Sequence, residues 1–384
     1  MNFQPLKDFL DSYLPMLGVP GSDTVIYRNH EEVFRYQSGY DNIKIGTPVR
    51  KDALYNIYSC SKVALGVAAT QLIERGEIVV SDPLYAYFPE YRDMEVFVRD
   101  GQGNKIGTKK AENPILIKHL LTMTSGMGYN FSSEPVKRVV KDTQGRAPTL
   151  DVCRAIAENP LDFEPGTDYQ YSYSLAVMGG VIELVTGMMF SEYMRENIFE
   201  PLGMKDTSYH IPPEKYFRMA TQYNYDSTER AAVELPFTSN AFRLGSEFDG
   251  AGAGIISSVD DYILLADALA NGGVGKNGNR IISKFGIELM RTNALDEHAL
   301  KTFNNSGPYL RGYGYGYGVR MNLHPELAGN VAPVGEFGWD GAKMCLCIAD
   351  PSNKIALFHA EHMGGVHDIV IPRLRNLIYS CFGE

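Results

Sequence analysis

The chain has 384 residues, 44% hydrophobic and 21% charged, the balance of a soluble globular protein with a large core and two or three lobes. Its formal net charge of -10 contains no basic run, so a nucleic-acid partner is not expected. No stretch approaches the roughly 18 uninterrupted apolar residues of a membrane-spanning helix, so no membrane partner is expected either.

The opening "MNFQPLKDFLDSYLPMLG" carries internal charges and no small-residue cleavage pattern, which predicts a cytoplasmic protein. Within it Phe3, Leu6, Leu10, Tyr13, Leu14 and Leu17 recur at helical spacing and predict an amphipathic helix closed by "GVPG". "DTVIYR" and "EVFRYQSGY" predict a hairpin turning at Asn29-His30. Residues 55–78, "YNIYSCSKVALGVAATQLIERGEI", read as one long buried helix that Gly76 stops. Helices follow in "PILIKHLLTM", "DVCRAIAEN", "SLAVMGGVIELVTGM" and "FSEYMRENIFEPLG". Strands return in "GYGYGYGVRM", "AKMCLCIADP" and "KIALFHAEH", before an amphipathic "HDIVIPRLRNLIYSCF".

A hairpin alone is marginal in water and the late strands need neighbours, so both ends of the chain are expected to build one sheet. The expected class is α/β (α+β): an antiparallel sheet flanked by helices, made by residues 1–60 and 246–384, with an inserted mainly helical domain over 61–245. The functional cleft is expected between the two. Cys60, Cys153, Cys345, Cys347 and Cys381 are odd in number and lack zinc-type spacing, which predicts reduced thiols.

Ser59 and Lys62 stand three residues apart at the start of the apolar helix, so their side chains share one face at its N-terminal end. Exposed N–H groups and the positive end of the helix dipole favour an oxyanion there. Desolvation and the dipole both oppose an ammonium charge and push the lysine toward the neutral amine, a base. The same four residues also fit a helix cap beside a lysine that snorkels to solvent.

Two more stretches bear on that choice. In "EPGTDYQYSYSLAVMGG" a Pro-Gly turn precedes Tyr169 and Tyr171, and "GEFGWDGAKMCLCIADP" carries Trp339-Asp340-Gly341 at the start of a late strand. With S-x-x-K they resemble the serine β-lactamase and penicillin-binding-protein superfamily, in its class C-like branch, closest in motif to the family VIII carboxylesterases. "HLLTMTSGM", "IFEPLGMKDTS" and "GAGIISSVDDYILLADALANGG" look like phrases of that family in the family's order.

The resemblance implies a β-lactamase/transpeptidase-like fold and acyl transfer through a serine ester. Ser59 would attack a carbonyl, with Lys62 and Tyr171 moving its proton and either one the base; the tyrosine would become partly anionic beside the lysine. The backbone N–H groups of Ser59 and Ala342 would form the oxyanion hole. Trp339 stands where penicillin-recognising members carry a cation, and Tyr173 where an asparagine is usual, so uncharged acyl groups are favoured over β-lactams and peptides. Asp340 reads either as a carboxylate that repels anions and attracts an amine, or as a solvated edge residue. Gly341 completes the third motif, and Tyr129 is a candidate substrate wall.

"GYGYGYG" alternates with period two and precedes no clear helix, so Tyr313, Tyr315 and Tyr317 are expected on one strand face rather than a phosphate loop. "HAEH" lacks the helical zinc spacing, and neither metal nor cofactor is expected. The expected activity is hydrolysis of small carboxylic esters. An amide or D-peptide hydrolase, a weak β-lactamase, an acyltransferase and a non-catalytic binding protein are the alternatives. Sequence does not fix the oligomeric state.

Overall fold

The computed structural model describes residues 1–383 apart from 230, 237–239 and 241. Gly21–Arg28 (β1) and Glu31–Asn42 (β2) form the predicted hairpin. Asn29 and His30 both take positive φ, 53° and 71°, the backbone of a two-residue turn whose twist suits a hairpin. With Thr47–Pro48 (β3), Tyr313–Tyr315 (β4), Arg320–Asn322 (β5), Phe337–Gly341 (β6), Cys345–Asp350 (β7) and Ile355–Ala360 (β8), they make an 8-stranded sheet in the order β4-β5-β6-β7-β8-β1-β2-β3. Every neighbouring pair is antiparallel. Both ends of the chain therefore do build one sheet.

Successive residues of a strand face opposite ways, and here both faces are covered, which is why β7 and β8 read as unbroken apolar runs. Val25, Cys347 and Phe358 pack in one core with Tyr262 and Leu265 of the helix Val259–Ala270. Ile26, Ile348 and Leu357 pack in a second core with Leu6, Leu10 and Leu14 and with Val370, Leu374 and Ile378 of the helix His367–Ser380. Burying each such side chain contributes about 1.5–3 kcal/mol.

Four readings change. The stretch 55–78 is not one helix: Tyr55–Asn56 is a short strand, Tyr58–Cys60 a single 3-10 turn, and the helix, α1, runs only over Ser61–Glu74. Pairing of Tyr55 and Asn56 with Ser257 and Ile256 takes those residues out of the helix. The tyrosine-glycine run is two strands and a turn, because Gly318 (φ 73°) reverses the chain; Tyr317 sits in that turn, off the face shared by Tyr313 and Tyr315. The mainly helical middle also holds a hairpin, Glu95–Arg99 with Lys105–Lys110, whose second strand is exposed throughout and so has no apolar alternation to reveal it. Finally, Trp339-Asp340-Gly341 closes its own strand, β6, rather than opening β7. The five cysteines are buried and unpaired.

Candidate active site

The site begins at a strained turn. Tyr58 takes φ 47°, a left-handed conformation that is rare and costly for a residue with a side chain. Packing holds it there: the Tyr262 hydroxyl donates to Cys60 O (2.6 Å), Cys60 Sγ to Cys345 O (3.2 Å), and Ile57 N to Ile255 O (3.1 Å). Ser59, the middle residue of this turn, is thereby presented at the edge of a cleft just ahead of α1.

Lys62 lies in the first turn of α1 and is 2% exposed. Its Nζ lies 3.1 Å from Ser59 Oγ and 2.7 Å from Gly252 O, and sits over the Tyr171 ring, 4.7 Å from its centroid. Burial pulls the lysine down to about 7 from an ordinary value near 10.5. The snorkelling alternative therefore fails, because the amine points inward. The Tyr171 hydroxyl also donates to Ser59 Oγ, at 2.6 Å. Burial pushes this phenol well above its ordinary range, with its hydrogen bonds to Ser59 and Trp339 opposing only in part. Near neutrality Tyr171 is thus a neutral donor, not the partly anionic group expected from sequence. Lys62 Nζ donates to both Gly252 O and Ser59 Oγ, and in its neutral form an amine in this place has a lone pair to take the serine proton.

Around this trio lies a cleft of about 490 Å³, lined by Ser59, Tyr129, Tyr169, Tyr171, Phe242, Tyr309, Trp339, Asp340, Ala342, His367 and Asp368 among others, with no lysine or arginine in its wall among the described residues. Trp339 lies parallel to Tyr171 (10°, centroids 5.9 Å) and edge-on to Tyr315. Tyr129 meets Tyr171 edge-on at 5.5 Å and stacks on Phe242, which makes it a wall of the cleft.

Gly341 is required by close approach. A Cβ there would come within 2.2 Å of Ile57 O, the carbonyl just ahead of the Tyr58-Ser59 turn, so β6 touches the Ser59 turn only because this residue has no side chain. His367 Nε2–H donates to Gly341 O at 2.8 Å and pins the strand end. Ala342 follows at the cleft wall, and its N–H has no backbone acceptor among the described residues.

Two expectations are corrected. Tyr173 does not reach this cleft: it is 3% exposed, packs on Phe131 (4.5 Å) and lines a separate cavity of about 290 Å³ across Tyr129, because its N–H is tied to Gly128 O (3.1 Å). Asp340 is neither a solvated edge residue nor an uncompensated acid. It is 7% exposed and forms a buried ion pair with Arg320 Nη1. Lys343 is engaged elsewhere, by Asn224 Oδ1. Sequence reasoning did not single out Arg320, Gly252, Tyr309 or His367. Gly252 lay inside a family-like phrase, whereas Arg320 meets Asp340 only through strand pairing.

A family model described as Beta-lactamase matches residues 6–360. Esterase EstB of Burkholderia gladioli is 28% identical over 346 residues, covering 84% of this chain and 80% of its own. Acyltransferase calJ of Penicillium decumbens is 27% identical over 364 residues, covering 90% and 84%. The solved structure of simvastatin synthase (LovD) from Aspergillus terreus superposes with a TM-score of 0.80 at 20% identity, over 99% of this chain and 98% of that one. The fold is the β-lactamase/transpeptidase-like one.

Proposed function

This chain belongs to the beta-lactamase family of serine hydrolases, and from that premise we propose that it hydrolyses small, uncharged carboxylic esters through an acyl-enzyme on Ser59. One observation carries the reading: Ser59 Oγ stands 3.1 Å from a buried lysine amine and 2.6 Å from a tyrosine hydroxyl, at the wall of a cleft that no lysine or arginine among the described residues lines.

In the proposed reaction Oγ attacks the ester carbonyl carbon as its proton passes to the neutral Lys62 amine. The carbonyl oxygen becomes an oxyanion facing the N–H groups of Ser59 and Ala342, donors that stabilise such charge by about 3–4 kcal/mol each in known hydrolases. Collapse breaks the bond to the alkoxy group, which leaves as the alcohol with the proton from Lys62, steered by Tyr171. Water then attacks the acyl-enzyme and gives a proton to the same amine; collapse breaks the acyl–Oγ bond, Oγ takes that proton back from Lys62, and the acid leaves. Lys62 is assigned as the base and Tyr171 as the neutral donor because burial lowers the one and raises the other.

That no lysine or arginine among the described residues lines the cleft supports ester over penicillin or peptide substrates, whose carboxylate needs a partner. Esterase EstB, similar over most of the chain, supports the same reading. A second reading is acyl transfer to an alcohol or amine other than water. It is favoured by a cleft of about 490 Å³, more than a short ester fills, and by similarity to calJ. The test is hydrolysis of p-nitrophenyl butyrate by wild type and Ser59→Ala, with and without an added alcohol. Turnover lost in the variant is expected; equal rates in both would refute the assignment, and capture of the acyl group by the alcohol would favour transfer.

A further inference from the structure

Arg320 is a buried cation packed against Trp339 and Asp340, two residues of the cleft wall, with one anionic partner among the described residues. It is 1% exposed, with its Cζ 5.3 Å from the Trp339 ring centroid, 6.0 Å from that of Tyr309 and 5.9 Å from that of Tyr313. Asp340 supplies its sole ion pair among the described residues, and its Nε and Nη2 find no acceptor among them. Strand pairing sets this up: Arg320 lies opposite Gly338 on β6, so Asp340, two residues on, is its diagonal neighbour on the same face. Asp340 in turn lines the cleft with Ser59, its Oδ2 3.4 Å from the Tyr309 hydroxyl. A guanidinium offers five donors in a fork that fits a carboxylate, and most of that capacity here is unused.

We propose that Asp340 is a resident carboxylate: it occupies the seat on Arg320 that the carboxylate of an anionic acyl group would take, and so determines that the site prefers uncharged esters. The proposal rests on the reading of this cleft as the ester site. The consequences follow from charge. With Asp340 in place the cation behind the wall is cancelled, and an anionic substrate meets the oxygens of Asp340 and the nearby Asp368 in a cleft that no lysine or arginine among the described residues lines. Without the Asp340 side chain, the space it vacates leads from the cleft straight to the guanidinium, and a small carboxylate restores the pair.

The test needs no turnover in its first arm. Sodium acetate is expected to raise the melting temperature of Asp340→Ala above its value in sodium chloride at equal ionic strength, with no acetate-specific shift in wild type or in Arg320→Met/Asp340→Ala. A folded Asp340→Ala indifferent to acetate overturns the proposal, even if the protein proves to be no esterase. Recovery of that variant only when acetate is present in the buffer supports it. In the second arm, kcat/KM for p-nitrophenyl hemisuccinate relative to p-nitrophenyl butyrate is expected to rise about tenfold from wild type to Asp340→Ala. If Asp340→Ala does not fold, Asp340→Asn decides by the same ratio. It keeps the packing and leaves Arg320 charged, so a rise of several-fold supports the seat and an unchanged ratio overturns it.

Discussion

Two of the buried hydroxyl-and-base constellations among the described residues differ instructively. At the cleft, Ser59 Oγ stands 3.1 Å from Lys62 Nζ and 2.6 Å from the Tyr171 hydroxyl. Inside the large sheet, Thr24 Oγ1 lies 2.7 Å from His359 Nδ1, whose Nε2 lies 3.0 Å from Glu361 Oε1. By residue type the second is closer to a hydrolytic triad. Yet Thr24 lies on β1 between β8 and β2, all three of its residues are buried, and none lines the cleft. The first sits on a strained turn with a free backbone N–H close by; the second is sealed in a flat ladder. Hydrogen-bond geometry is therefore not enough to make a site. A carbonyl must reach the hydroxyl, and donors must wait for the charge it will develop.

Replacement of residues in each cluster should pull activity and stability apart. The largest effect is expected for Ser59→Ala, which should lower kcat/KM on p-nitrophenyl butyrate by about 10⁴-fold with little change in melting temperature. Tyr171→Phe comes next, with kcat down about 10²–10³-fold and KM nearly unchanged, because it removes a proton-handling hydroxyl but keeps the ring against Trp339. His359→Leu should do the reverse: stability falls by about 3 kcal/mol in denaturant unfolding, because Glu361 is left buried without its partner, while the folded fraction keeps its KM.

At Lys62 the expected effect on stability is a gain. Lys62→Met should abolish turnover yet stabilise the fold by about 2 kcal/mol near pH 7, as replacing a poorly compensated buried ion often does. The lysine's folded value, about 7, lies below the unfolded one, so between the two the unfolded chain binds the extra proton and wild-type stability rises with pH. The advantage of the variant is thus full below about pH 7 and fades as pH nears the unfolded lysine value of about 10.4. Wild-type kcat/KM should rise over the same lower limb, through about pH 7, as the amine loses its proton.

Much of this was legible in the chain because it is written locally. Alternation and turn residues gave the β1–β2 hairpin, and the apolar runs of β7 and β8 announced strands, which the structure covers on both faces. Ser59 and Lys62 were found by spacing and Tyr171 by motif. The rest depends on contacts that no local pattern encodes. The short pairing of Tyr55 and Asn56 with Ser257 and Ile256 cut back a helix that propensity alone extends. Arg320 and Asp340 meet across a ladder, and Gly252 supplies a carbonyl to Lys62 from 190 residues away in the chain. Tyr173 follows Tyr171 by two residues, yet the bond of its N–H to Gly128 turns it into a neighbouring cavity.

The contrast between the two clusters can be decided in a single labelling experiment. Folded protein is treated with a fluorophosphonate, digested, and mapped by mass. Stoichiometric modification of Ser59, abolished in Lys62→Met and leaving Thr24 untouched, is the predicted result. A fully folded sample that carries no adduct at Ser59, or carries it on another hydroxyl, would contradict the assignment of the nucleophile.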